Sequence, residues 1–180
     1  MPRLDILIAD LKTSHTNKTR LCRIAGRTAS AADLDAWNKK TKLTLPPDFC
    51  RFLCEVGPCT LHTSPEFRDG GQVHFLDLDH IVPVGPLILD DHAEIPAAWF
   101  AIADMNDGNY LVMDLSDAKG ERVDILDAFH ETIPYEATII ARSFTEFLER
   151  MMQDSAYSIG GGGGKEFWSK FECYGDKGIH

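Results

Sequence analysis

Hydrophobic and polar residues alternate along this chain with a helical period near both ends and a strand-like pattern between them. Polar residues 12–20 interrupt the first helical stretch and predict a loop. The apolar residues spaced as one helix face are Leu4, Leu7, Ile8 and Leu11, then Phe49, Phe52, Leu53 and Val56, and finally Phe144, Phe147, Leu148 and Met151. The pattern therefore predicts helices on either side of a strand-rich middle.

Residue types typical of helix ends accompany these segments. Proline is tolerated in the first turn of a helix, so residues 46–47 predict a helix start, and Gly57 is a suitable stop. In a capping box, a hydroxyl and a carboxylate three residues apart each bond a backbone N–H group near the helix start. Such pairs occur at Ser30 with Asp33, ahead of a short helix around Trp37, and at Ser143 with Glu146.

The middle of the chain predicts antiparallel strands. Residues 99–115 contain two apolar runs around Asp107-Gly108, which is a strong hairpin signal. The outgoing run is apolar on both faces, so it predicts a central strand covered on both sides. Further strand candidates are Val73–Leu76, Ile81–Val84 and Val123–Leu126. Helices, then antiparallel strands, then a helix predict an α+β fold: a single domain with helices packed on a mainly antiparallel sheet.

Charge is unevenly distributed along the 180 residues, whose formal net charge is −10. Residues 1–45 carry a net charge of +5, whereas residues 69–136 hold fifteen acids against two bases, a net charge of −13. An acidic field repels nucleic acid and anionic membranes and accelerates encounter with a basic protein. Acidic loops also keep many proteins in solution, so the charge supports a basic partner without establishing one.

Cysteine usage and hydropathy favour a cytoplasmic protein. Five cysteines are an odd number, and reduced thiols are expected without a secretory signal. No stretch approaches the roughly 18 apolar residues of a membrane span. The glycine run 160–164 precedes Lys165, but Ile159 and Glu166 replace the glycine and hydroxyl residues of a phosphate-binding loop, so a linker is the preferred interpretation.

Three clusters could bind a metal, but each has a simpler interpretation. Cys50, Cys54, Cys59 and His62 could hold zinc, although buried thiols in a core helix are commoner. Two acids and two histidines could form a second site, but strand alternation puts the acids and the histidines on opposite faces. The second cluster consists of Asp77 and Asp79 with His74 and His80. The third cluster resembles part of a calcium-binding loop but is better explained as a turn, and it consists of Asp104, Asn106 and Asp107. The sequence thus predicts no metal, no cofactor and no catalytic residue, with a metal-dependent hydrolase as the least favoured alternative.

Three segments follow one another along the chain: Leu45-Pro46-Pro47-Asp48-Phe49 running into Phe52-Leu53, the hairpin Ile102–Leu115 with Gly108-Asn109-Tyr110, and Ala141–Met151. In this order they resemble the SUKH superfamily of Smi/Knr-type proteins. The resemblance covers residues 28–152 and implies an α+β fold without enzymatic activity. It also implies one of two roles: bacterial members resemble immunity proteins that neutralise toxins of interbacterial competition, whereas fungal members regulate cell-wall synthesis.

The predicted organisation is an N-terminal helix and loop over residues 1–27, a SUKH-like domain over 28–152, and a glycine-rich linker with a C-terminal tail over 153–180. The leading hypothesis is a non-enzymatic immunity protein that occludes a cognate, basic protein toxin such as a nuclease, with no nucleic-acid or membrane partner. The alternative is a cytosolic regulatory interaction module of the same fold. The predicted contact residues are acids, each of which alone is also typical of a solvated loop: Asp77, Asp79, Asp90, Asp91, Glu94, Asp104 and Asp107.

Overall fold

The computed structural model describes residues 2–16, 22–62, 72–87, 95–105, 108–116, 123–128 and 137–153. Two short 3₁₀ helices, Leu78–His80 and Gly85–Leu87, lie within these ranges. The α-helices described are α1 (Pro2–Thr16), α2 (Ala31–Thr41), α3 (Pro47–Glu55) and α4 (Phe144–Gln153). The strands described are β1 (Cys22–Ile24), β2 (Cys59–His62), β3 (Gln72–Phe75), β4 (Val82–Pro83), β5 (Trp99–Asp104), β6 (Tyr110–Asp114), β7 (Ile125–Ala128) and β8 (Thr138–Ala141).

The strands form one antiparallel sheet with the spatial order β1-β2-β3-β5-β6-β7-β8. Strands β3 and β4 lie end to end along β5, because β3 pairs with the last residues of β5 and β4 with earlier ones. Helices packed on this sheet confirm the predicted single-domain α+β fold. The predicted hairpin is β5 with β6, and Gly108 has the positive φ of 86° that its turn requires.

Strand β6 is central, as its apolar residues on both faces predicted. It lies between β5 and β7, and its residues from Leu111 to Asp114 are buried. Alternate side chains point to opposite faces of the sheet, so one strand contributes to two hydrophobic clusters. Leu111 and Met113 belong to the helix side, and Val112 to the second cluster on the other side.

Five phenylalanine rings form the centre of the main core between the sheet and the helices. Phe144 of α4 lies 4.7 Å from Phe49 and 4.9 Å from Phe52, measured between ring centroids. Phe52 also lies 5.0 Å from Phe75 of β3, and Phe147 lies 6.2 Å from Phe75. Tilted aromatic pairs at these distances stabilise a core beyond simple area burial, by about 0.5–1.5 kcal/mol each. The two helices with the strongest apolar spacing in the sequence therefore meet over β3.

The helix-end signals are largely confirmed. The Asp33 N–H donates to Ser30 Oγ (3.2 Å), and the Ser30 N–H donates to Asp33 Oδ2 (2.8 Å), so both bonds of the capping box form. Pro47 is the first residue of α3. At α4 the Glu146 N–H donates to Ser143 Oγ, but the Glu146 carboxylate accepts from the Arg142 N–H (2.7 Å), one residue before the expected Ser143 N–H.

Several sequence expectations differ from the structure. Helix α1 continues to Thr16, so the loop predicted over residues 12–20 begins too early. Only two residues of the candidate strand 81–84 pair, because 3₁₀ turns flank them, and the strand expected at 123–126 is displaced to 125–128. Strands β1, β2 and β8 were not among the strand candidates from the sequence. The Gly160–Gly164 run and the tail after it lie outside the described residues.

The end of α1 covers the outer edge of β1. The Cys22 N–H donates to Ser14 Oγ (3.2 Å), and the Ile24 N–H donates to His15 Nδ1 (3.0 Å), so backbone donors that β2 does not use are bonded. A three-residue strand gains its stability from these partners rather than from its own pattern. Within the described ranges, no helix is long and apolar enough to cross a membrane.

Candidate functional site

Two of the predicted contact acids lie in the turn that follows β3. Asp77 begins the short 3₁₀ helix, and its Oδ1 accepts hydrogen bonds from the N–H groups of Asp79 (3.1 Å) and His80 (3.2 Å). The same oxygen lies 2.7 Å from His80 Nδ1. Asp77 therefore shapes the turn, whereas the side chain of Asp79 is exposed and available to a partner.

The third described acid, Asp104, lies in the sheet beside β3 and not in the turn itself. Asp104 ends β5 and pairs with His74, whereas Asp77 follows Leu76, whose N–H donates to the Ile102 carbonyl at 3.0 Å. The structure therefore brings Asp77 and Asp79 together in the turn, whereas Asp104 lies in the sheet opposite His74, which comes three residues before Asp77. The remaining predicted acids lie outside the described residues: Asp90, Asp91, Glu94 and Asp107.

A pocket of about 200 Å³, hereafter the turn pocket, opens between the 77–79 turn, residues 25–29 and the end of α3. Its deeper residues are apolar, and its outer residues are charged. The apolar floor consists of Ala29, Leu53, Pro58 and Leu78, and the charged rim consists of Arg27, Asp33, Asp77 and Asp79. Three carboxylates and one guanidinium give this rim a formal charge of −2.

Two backbone hydrogen bonds hold one wall of the turn pocket against α3. The Ala25 N–H donates to the Pro58 carbonyl (2.8 Å), and the Ala29 N–H donates to the Leu53 carbonyl (3.0 Å). Residues 25–29 pass so close to the end of α3 that a Cβ added to Gly57 would lie 3.2 Å from the backbone of Thr28. Gly57 also has a φ of 74°, which glycine adopts without strain. The predicted helix stop is thus also the residue that lets this wall approach α3.

The rim contains one internal ion pair and one exposed acid. Arg27 Nη1 donates to Asp33 Oδ2 at 2.8 Å. This bond, assisted by the hydrogen bonds from Ser30, holds the pKa of the Asp33 carboxyl well below its usual range. The pKa of the Arg27 guanidinium is raised, mainly by Asp33 and to a smaller extent by the charge of Asp79. Arg27 therefore neutralises part of the rim, and Asp79 keeps it negative.

A second polar feature crosses the face of the sheet opposite the helices. Five residues of neighbouring strands lie opposite one another in the strand register and form one continuous row: Arg23 opposite Thr60, Thr60 opposite His74, His74 opposite Asp104, and Asp104 opposite Tyr110. Thr60 Oγ1 and His74 Nδ1 share a hydrogen bond of 2.9 Å. The sequence separates these residues by up to 87 positions, and only strand register brings them together, so no sequence signal pointed to the row.

Most residues of the two features, all except Arg23 and residues 25–27, lie in a region that matches a known family. The model of the SMI1 / KNR4 family (SUKH-1) matches residues 28–150, about two thirds of the chain. This chain belongs to the SUKH-1 family. One relative is Immunity protein YokJ of Bacillus subtilis (strain 168), which is 25% identical over 116 residues, covering 63% of this chain and 67% of that protein. The resemblance predicted from three short motifs is therefore confirmed.

The SUKH-1 match begins after α1 and β1, yet both elements contribute to the same core. The side chains of Leu4, Leu7, Ile8 and Leu11 belong to the hydrophobic cluster that contains the five phenylalanine rings. Cys22 of β1 is buried in that cluster as well. The segment before the match is thus part of the folded unit in this SUKH-1 protein.

The cysteines of this SUKH-1 protein lie in two separate environments. Cys59 of β2 is hydrogen-bonded to the thiol of Cys22, which raises the pKa of Cys59, and burial raises it further. Burial raises the pKa of Cys50 on α3 to about 11. Among the described residues, no group of three His, Cys, Asp or Glu side chains could hold a metal ion. Cys59 therefore contacts Cys22, a residue that was not among the four candidate zinc ligands from the sequence.

Proposed function

We propose that this SUKH-1 chain is a non-enzymatic immunity protein that binds a cognate toxin and neutralises it by occlusion. The observation that carries the proposal is the similarity to an immunity protein within a family match that spans the core of the fold. Stoichiometric occlusion needs only a complementary surface. The turn pocket and the polar row are the two features of the described part of the molecule that we propose as contact surfaces.

The proposed toxin surface is basic. The net charge of −13 over residues 69–136 and the rim charge of −2 at the turn pocket favour a cationic partner over an anionic one. Such charges raise the rate of encounter before specific contacts form. The same field disfavours nucleic acid as a direct partner. We keep all seven predicted acids as proposed contacts, with Asp79 placed first because its side chain is exposed beside the pocket.

The experiment that tests this function is capture of the partner from the native source. Tagged full-length protein is incubated with lysate at low and at high salt, and captured proteins are identified by mass spectrometry. We expect one basic toxin-like polypeptide, bound more strongly at low salt. Recovery of a housekeeping regulator instead, at either salt concentration, would contradict the immunity role and support the regulatory module.

Association kinetics with the captured toxin then locate the contact surface. Asp79→Lys removes an exposed rim acid, and Asp10→Lys changes an exposed acid on α1 by the same charge. We expect Asp79→Lys to slow association by roughly 2–10-fold and to weaken its salt dependence, with a smaller effect of Asp10→Lys. Equal effects would show that only overall charge matters. Charge reversal at Asp90 and Asp91 is expected to act as Asp79→Lys does.

A further inference from the structure

The turn pocket has a floor and a rim of different chemistry, and together they specify one kind of occupant. We propose that the pocket receives a single arginine side chain of the protein partner. This inference rests on the proposed function, because it names the partner group that the site would bind. The residues that carry it are Asp77, Asp79, Leu53 and Leu78, with Arg27 as an internal competitor.

The size of the pocket suits a side chain rather than a free metabolite. Its volume of about 200 Å³ is below the roughly 300–1,000 Å³ typical of small-molecule sites. Leu53 and Leu78 are buried and form an apolar floor with Ala29 and Pro58. A long cationic side chain buries its methylene stem along such a surface and keeps its charged end at the rim. Single arginines in pockets are also common energetic anchors of protein interfaces.

The rim favours a guanidinium over an ammonium group. Within the described part of the chain, no hydrogen bond uses the Asp79 carboxylate, and those to Asp77 use only Oδ1. Asp33 likewise accepts its bonds through Oδ2, from Arg27 and Ser30. Oxygens on up to three carboxylates therefore surround the opening. The planar fork of arginine, with five N–H donors, can bond several of them at once, whereas lysine presents a compact charge.

Arg27 is a cation on the rim, but its surroundings disfavour an anion as the occupant of the pocket. Its side chain is 73% exposed and already paired with Asp33, so an anion could reach it only against the charges of Asp77 and Asp79. An incoming guanidinium instead meets a rim with two carboxylates that Arg27 does not neutralise. The net rim charge of −2 therefore selects a cationic occupant.

Binding is tested on the full chain with three synthetic peptides that differ at one position. The peptides are acetyl-Gly-Arg-Gly-amide, its lysine analogue and its citrulline analogue, an uncharged isostere of arginine. Amide shifts in ¹⁵N-labelled protein report the site. We expect saturable shifts at Ala29, Leu53 and Asp79 with the arginine peptide, weaker binding of the lysine peptide, and no saturation with citrulline. Equal binding of arginine and lysine, or binding of citrulline, would overturn the proposal.

Variants assign the binding to the rim. Asp79→Asn removes the exposed carboxylate with little change in shape, and Asp10→Asn is the matched control on α1. We expect Asp79→Asn to weaken binding of the arginine peptide roughly tenfold or more and Asp10→Asn to leave it unchanged. Dispersed NMR spectra of both variants confirm that they are folded. Equal affinities for all three proteins would overturn the assignment. Toxin capture is measured separately: arginine binding without a captured toxin would reject the immunity role, and toxin capture without arginine binding would reject the pocket.

Discussion

Replacing Leu11 by alanine tests whether α1, which lies outside the family match, is part of the cooperative core. The Leu11 side chain is fully buried at 0% exposure, in the row that also contains Leu7 and Ile8. Removing it deletes buried apolar atoms and leaves a cavity. Helix α1 packs against β1, α3 and α4, so its position is fixed on several sides and it closes over that cavity only in part. We therefore expect a loss of about 3–5 kcal/mol in the free energy of unfolding.

The matched control is Ile6→Ala on the same helix. Ile6 is 62% exposed and contributes little to the core. Alanine has a higher helix propensity than isoleucine, so this variant is expected to stay within about 0.5 kcal/mol of the parent protein. For a chain of 180 residues, the loss at Leu11 corresponds to a fall in Tm of roughly 6–20 °C.

The assay is urea unfolding followed by far-UV circular dichroism and by tryptophan fluorescence. If α1 belongs to one cooperative unit, both probes shift together to lower urea for Leu11→Ala and stay unchanged for Ile6→Ala. A loss below 1 kcal/mol at Leu11 would refute the reasoning. A separate early transition in the dichroism signal would also refute it, because α1 would then unfold independently of the sheet.

Two further predictions concern the core helices. Asp48 of α3 accepts hydrogen bonds from Thr145 N (2.8 Å) and Thr145 Oγ1 (2.9 Å) at the start of α4. Asp48→Ala should lower the free energy of unfolding by about 1.5–3 kcal/mol, whereas the exposed control Asp35→Ala should leave it unchanged. Equal small effects of the two variants in urea unfolding would contradict the role of Asp48 at the start of α4. Cys50, with a pKa of about 11, is about one-thousandth thiolate at pH 8. Peptide mass spectrometry should show slow alkylation by iodoacetamide in native protein and fast alkylation in urea; fast native alkylation would contradict the burial.

Features that depend on neighbours in sequence were predictable. The capping box at Ser30, the proline start at Pro47 and the stop at Gly57 all act within one helical turn, so their residue types suffice to identify them. The hairpin of β5 and β6 is also local, and its apolar outgoing strand identified the centre of the sheet. Family membership followed from the order of such local motifs along the chain.

Features that depend on distant residues were not predictable from the pattern. Strands β1 and β8 have only three and four residues, and their positions depend on β2, β7 and the end of α1. The turn pocket likewise joins residues 25–29, α3 and the 77–79 turn. The sequence indicates Asp77 and Asp79 as candidate contact acids but not Arg27 as their neighbour, because no periodicity relates residues fifty positions apart.

The composition and local patterns of this chain thus establish its helices, its central hairpin and its acidic character. The tertiary structure decides which acids share a surface: it places Asp79 at a pocket rim and Asp104 in a polar row with His74. The physical reason is that helix caps and turns are short-range interactions, whereas strand register and chain crossings are set by packing of the whole core.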